Sequence, residues 1–177
     1  MSIRDRAMRA AYIVAMSGMQ VAIICPTTLL SRQHQKSFLE RYSGTPVCIE
    51  QLSRLTPKNE INNIKKNLKE GKIDIIIGTH SLLSDNIEFS DLGLLIIDEE
   101  QHFGVTHKEK LKNIRNDVHV LTLTATPIPR TLNMSLSGLK DLSIIATPPV
   151  DRLAIRTYVL EFDVLTVRQA LLREHYR

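Results

Sequence analysis

The sequence predicts an α/β domain, an open, mostly parallel sheet with helices on both faces, and three observations carry that expectation. Short β-rich runs alternate with helical stretches along most of the 177 residues. Several of the runs, Asp74-Ile-Ile-Ile and Leu94-Leu-Ile-Ile among them, are apolar without alternation, the pattern of strands covered on both faces. Small hydroxyl and acidic residues follow these runs directly, and doubly wound sheets bind ligands beyond the carboxyl ends of their strands.

Taken in order, strands are expected at Val21 to Cys25, Val47 to Leu52, Ile73 to Ile77, Leu92 to Ile97, Val118 to Thr124, Leu142 to Ala146 and Ile155 to Leu160. Thr27 to Tyr42 reads as a helix, with Leu30, Phe38, Leu39 and Tyr42 at near-helical spacing and Gly44 as a stop. Pro57 to Lys69 reads as another, with Thr56 as N-cap, proline at the first helical position, and Ile61, Ile64 and Leu68 on one face. At Thr147-Pro-Pro-Val-Asp the pattern breaks, so residues 1–147 are expected to form one domain and 148–177 a linker followed by the start of another. A polar helix is expected there from about Asp163 to Tyr176.

Composition excludes several classes. With 43% hydrophobic and 24% charged residues the chain is a globular one, and no apolar run reaches the ~18 residues of a membrane-spanning helix. Met1-Ser-Ile-Arg-Asp-Arg has neither the apolar core nor the small-residue cleavage site of a secretory signal, so a cytoplasmic location and no membrane partner are expected. Cys25 and Cys48 are too few for a disulfide framework, and their apolar surroundings suit small buried hydrophobes. The net charge of +4 is concentrated between Arg54 and Lys72, where Lys58, Lys65, Lys66, Lys69 and the two ends face only Glu60 and Glu70. Such a stripe suits a polyanion, or is the solvated face of a helix.

Four loops carry the chemistry. Leu94-Leu-Ile-Ile-Asp-Glu-Glu-Gln-His-Phe-Gly brings Asp98 and Glu99 out together at the end of an apolar strand, where adjacent carboxylates repel unless a cation or solvent compensates them. Val120-Leu-Thr-Leu-Thr-Ala-Thr-Pro ends in the small triad Thr124, Ala125, Thr126. Cys25-Pro-Thr-Thr-Leu-Leu places Thr27 and Thr28 beside a helix N-terminus, where amides and hydroxyls hold phosphate oxygens, and Ile77-Gly-Thr-His-Ser-Leu-Leu repeats the device with Thr79, His80 and Ser81. Each alone also reads as a solvated acidic loop or a helix cap; four such loops in this order along the chain are what single them out.

With these residues the chain resembles the first RecA-like domain, a P-loop nucleoside-triphosphatase fold, of superfamily 2 helicases and translocases. Pro26-Thr-Thr-Leu-Leu resembles motif Ia, Gly78-Thr-His-Ser-Leu-Leu motif Ib, Asp98-Glu-Glu-Gln motif II (Walker B) and Thr124-Ala-Thr motif III. Asp98-Glu-Glu-Gln-His-Phe-Gly-Val and Thr124-Ala-Thr-Pro-Ile-Pro-Arg-Thr-Leu are similar to the RecG and transcription-repair coupling factor branch, and Asn133-Met-Ser-Leu-Ser-Gly-Leu-Lys-Asp-Leu is more similar to the coupling factors than to RecG.

The resemblance implies ATP and Mg²⁺ as cofactors, Asp98 as the Mg²⁺ residue and Glu99 as the group that activates water. It implies a link from the γ-phosphate to the DNA-facing loops through Gln101 and His102, where many relatives carry His then Arg. Thr27, Thr28, Thr79, His80 and Ser81 would contact the phosphates of double-stranded DNA, and Thr124, Ala125 and Thr126 would couple hydrolysis to movement. The family's whole proteins displace stalled RNA polymerase and recruit excision-repair proteins. His102 as a hydrogen-bonded surface histidine and Arg130 as a helix-face charge remain open readings.

The phosphate loop Gly-x-x-x-x-Gly-Lys-Ser/Thr does not occur: the single Gly-Lys, Gly71-Lys72, is followed by Ile73 and has Lys66 where the first glycine should stand. Ala7 to Ala11 match the helix that follows that loop in the family, with Ser2-Ile3-Arg4 in the places of Gly-Lys-Thr. The expectation is therefore a partial first motor domain lacking its Walker A strand and loop, with Glu174-His-Tyr-Arg leading into a second RecA-like domain that is cut short. Low stability and no autonomous ATP hydrolysis are expected of it. A RecG-like fork-remodelling domain and a non-enzymatic remnant of a decayed or split gene are the alternatives.

Overall fold

The computed structural model describes residues 3–84, 86–104, 118–124 and 157–176. The chain divides into two compact units, Met1–Thr147 and Pro148–Arg177. In the first, α1 (Ile3–Met16), β1 (Gln20–Ile24), α2 (Thr28–Arg41), β2 (Ile49–Leu52), α3 (Lys58–Lys69), β3 (Ile75–Gly78), β4 (Leu92–Asp98) and β5 (His119–Leu123) follow one another, with single 3-10 turns at His80–Leu83 and Glu100–His102. The five strands form one sheet in the order β2-β3-β1-β4-β5, and every pairing is parallel.

The apolar runs do what their lack of alternation predicts. Along β1, Val21 and Ile23 face one cluster with Ile75, Ile77, Leu94 and Ile96, covered by Ala7, Ala11 and Ala15 of α1 and Phe38 and Tyr42 of α2. Ala22 and Ile24 face the other, with Ile76, Leu95 and Ile97 under Ile64 and Leu68 of α3. Alanines spaced one turn apart give α1 a flat face, and Ala11 is fully buried against the sheet. At the amino-terminal end of the strands Gln20, buried, donates from its amide to the Leu68 and Ile73 carbonyls at 2.9 and 2.8 Å. Its carbonyl accepts from the Ser90 and Asp91 N–H groups at 2.7 and 3.2 Å, so one side chain satisfies four main-chain groups, at the end of α3 and in the two connections before β3 and β4.

Helix boundaries follow local chemistry, with one correction. Thr27 caps α2 by accepting from the Leu30 N–H at 3.2 Å, and Gly44 takes the left-handed conformation (φ 81°) just after the helix. At α3, however, Pro57 is the N-cap and Lys58 the first helical residue. Thr56 is turned back instead: its hydroxyl accepts from the Ser53 N–H and its own N–H donates to the Ser53 carbonyl, closing a tight turn that leaves no hydroxyl for the helix. Lys66, Lys69 and Lys72 pair with Glu70 and Glu88 on an exposed surface, the solvated-face arrangement of the basic stripe.

Two further expectations are corrected. Cys48 is exposed, because it precedes β2 on the side where the sheet ends among the described strands; Cys25 is buried, as expected. In the second unit residues 157–160, the described part of the expected strand Ile155 to Leu160, form no strand. Tyr158, Val159 and Leu160 are exposed with no ladder partner among the described residues, and β-propensity without a partner strand does not make one. The helix α4 (Val164–His175) is present and is capped by Asp163, whose carboxylate accepts from the Leu165 and Thr166 N–H groups and the Thr166 hydroxyl. The expected strand Leu142 to Ala146, and Ala125, Thr126 and Arg130, lie outside the described residues. No described helix is long and apolar enough to cross a membrane.

Candidate nucleotide and DNA site

The register brings the four motif loops to one edge. Ile24 is level with Gly78 and with Ile97, Leu52 is level with Gly78, and Asp98 with Leu123, so five strands stop together and their following residues share a rim. Thr27 and Thr28 leave β1 there, Ser53 leaves β2, Thr79 to Ser81 leave β3, Asp98 to His102 leave β4 and Thr124 leaves β5. Gly78 is required at this rim: a Cβ on it would stand 2.4 Å from the Leu52 carbonyl oxygen and 2.8 Å from the Leu82 side chain.

Asp98 is the last residue of β4 and is 7% exposed. Glu99 then breaks from the strand in the left-handed conformation (φ 54°, ψ 50°), a strained choice for a residue with a Cβ, while its N–H still donates to the Leu123 carbonyl at 2.9 Å and so continues the β4–β5 ladder. This break swings the two acids apart. Asp98 stays under the rim, and the Glu99 carboxylate turns toward β5. There Gln101 donates its amide to the Glu99 carboxylate, and the Thr124 hydroxyl lies 3.4 Å from Glu99 Oε2 and 3.4 Å from Gln101 Oε1. Thr122 similarly reaches Glu100 Oε2 at 3.4 Å. Phe103, buried in the second cluster, anchors the far end of the turn.

The structure therefore brings Asp98, Glu99, Gln101 and Thr124 together. His102 is exposed, and its N–H closes the turn onto the Glu99 carbonyl. Thr27, exposed, and Thr28, half-buried, head α2; His80 is exposed and Ser81 half-buried. Thr79 differs from its neighbours: it is 4% exposed and its hydroxyl meets Ser81 Oγ at 3.2 Å, so its side chain shapes the turn from inside. Cys25, directly after β1, has its thiol pushed up to about 12, chiefly by burial and further by the nearby Asp98 charge, which leaves it inert as a nucleophile.

One residue of the site escaped the sequence reading. His34, 3% exposed on α2, places Nε2 2.7 Å from Asp98 Oδ2. The signal was present in the spacing, since His34 falls four residues after Leu30 and four before Phe38, on the helix face that meets the sheet.

A Mg²⁺ ion fits the donors present. No group of three ligating side chains occurs among the described residues, and Mg²⁺ asks for none, since one or two carboxylates with waters and substrate phosphates suffice. Asp98, whose Oδ2 is engaged by His34, supplies one such carboxylate.

Comparison with known proteins shows the family and the fold. A family model described as DEAD/DEAH box helicase matches residues 7–135. The transcription-repair-coupling factors of Escherichia coli (strain K12) and Haemophilus influenzae are 56% and 55% identical over 171 residues, which is 97% of this chain and 15% of each relative. That of Bacillus subtilis is 54% identical over 168 residues. Among solved structures, RecG bound to a three-way DNA junction aligns with 95% of this chain and 22% of its own, at a TM-score of 0.70 and 31% identity. The Mycobacterium smegmatis helicase Lhr, at TM-score 0.56 and 15% identity, shares the fold. The chain thus spans about 15% of the length of the curated relatives it matches.

Proposed function

Because the chain belongs to the DEAD/DEAH box helicase family, we propose that its first unit forms part of the first motor domain of an ATP-dependent double-stranded DNA translocase of the transcription-repair coupling type. The observation that carries this reading is the meeting of Glu99, Gln101 and Thr124 beside buried Asp98, on the same rim as the threonine-headed helix α2. Asp98 would hold Mg²⁺, which when bound neutralises phosphate charge. Glu99, oriented by Gln101 and Thr124, would position and deprotonate the attacking water. Thr124 would carry the state of that carboxylate to β5, and Ala125 and Thr126 would continue the coupling segment.

Thr27, Thr28, His80 and Ser81 would contact DNA phosphates, with Thr79 holding the second loop in shape; such contacts carry no sequence information. Identity of 54–56% to coupling factors against 31% to RecG favours the former over a fork-remodelling role. Displacing stalled RNA polymerase and recruiting excision-repair proteins would belong to the whole protein. The 177 residues contain no Gly-x-x-x-x-Gly-Lys-Ser/Thr, so this chain by itself is predicted to hydrolyse no ATP. Steady-state phosphate release with Mg²⁺, ATP and duplex DNA tests this. Turnover that vanishes in Glu99→Gln would contradict the predicted inactivity while supporting the role of Glu99.

A further inference from the structure

The pair His34–Asp98 joins two parts of the molecule that the proposed mechanism treats separately. Asp98 ends β4, and His34 stands on α2 less than two turns after Thr27 and Thr28. Both side chains are buried, and Nε2 lies 2.7 Å from Oδ2. A carboxylate oxygen accepts, so Nε2 donates; Nδ1 is buried with no hydrogen-bond partner among the described residues. The imidazole stands at one end of a run of aromatic rings. Its edge meets Phe38 at 6.4 Å, Phe38 meets Tyr42 at 5.5 Å, Tyr42 meets Tyr12 of α1 at 5.4 Å, and the Tyr42 hydroxyl donates to the Met8 carbonyl. An aromatic column along one face of α2 thus packs beside the ring that holds the aspartate.

We propose that His34 is a positioning residue for Asp98: it holds Oδ2 so that Oδ1 alone is presented at the rim to a divalent cation, and it ties that carboxylate to the helix headed by Thr27 and Thr28. The inference rests on the reading of Asp98 as the cation-holding group. Partners that orient a ligating carboxylate typically change metal affinity by 10- to 100-fold when removed. His34→Phe keeps a ring in the aromatic column and removes the donor; His34→Gln keeps an N–H donor.

The test is a Mn²⁺ titration of the 177-residue chain, following free Mn²⁺ by electron paramagnetic resonance, with thermal melts of every variant. Expected are loss of the site in Asp98→Asn, an affinity at least ~10-fold weaker in His34→Phe, and recovery to within roughly threefold in His34→Gln, with similar melts for the two His34 variants. Unchanged affinity in His34→Phe, or equal weakening in His34→Gln, overturns the positioning role alone. Mn²⁺ binding that Asp98→Asn leaves unaltered, or no binding for Asp98→Asn to remove, overturns the reading of Asp98 and the proposal with it. Long-range ¹H–¹⁵N spectra of the unsubstituted chain test the hydrogen bond independently of metal and of any variant's folding: a proton on Nε2 is expected, and an Nε2 without one contradicts it.

Discussion

Thr27 places two demands on one hydroxyl. It caps α2 through the Leu30 N–H, and it stands exposed where the functional reading puts a DNA phosphate. Thr27→Ala is predicted to lower stability by ~1 kcal/mol in urea unfolding, and Thr27→Asn, which caps as well, to restore it. The sequence could not divide capping from phosphate contact, because both use the same atom in the same place. His34 was legible in principle, as a polar residue on an apolar helical face, but its partner lies 64 residues away and no local pattern announces it. The left-handed backbone of Glu99 had no signal at all in the string Asp-Glu-Glu-Gln, which contains no glycine or asparagine to favour it.

At the level of elements, strands were the most readable feature, most of all β1, β3 and β4, whose burial on both faces leaves little that is polar to interrupt them, and five of the six expected strands that reach into the described residues are present within a residue or two of their limits. Ends were less readable: the Ser53–Thr56 turn took the hydroxyl that the sequence offered to α3. Gln20 shows a polar residue acting as a fastener between elements. Gln20→Leu leaves four main-chain groups without their partner and is predicted to cost roughly 2–4 kcal/mol in equilibrium unfolding. The cap of α4 gives a pH prediction. Hydrogen bonds from Thr166 hold the Asp163 carboxyl below its usual range, so the cap contributes fully above the ordinary aspartate pKa and is lost as pH falls through the lowered value. The Thr166 amide shift should follow that acid titration, persist in form but not titrate in Asp163→Asn, and lose its capped position in Asp163→Ala.

For the whole molecule, burial separates the two units. In the first, β1, β3 and β4 are buried almost throughout; in the second, no described residue is buried. Amide exchange is therefore predicted to be slowest in β1, β3 and β4, opening only with global unfolding, while α4, a helix of 12 residues without a packed face among the described residues, exchanges with little protection. The site shares this division of legibility. All its members but His34 were readable as strand-end residues, while their grouping into Asp98–His34 below the rim and Glu99–Gln101–Thr124 on it depends on how the strands and α2 pack together, which no single segment encodes. On the proposed function, DNA meets this rim through nearly neutral loops and not the basic face of α3. Fluorescence anisotropy with duplex DNA of two unrelated sequences, at several salt concentrations, tests it on Thr28→Glu with His80→Glu, and separately on Lys66→Glu with Lys69→Glu. The account predicts binding indifferent to sequence, weakened ~10-fold or more by the rim pair and no more than about threefold by the α3 pair; the reverse order of effects would contradict it.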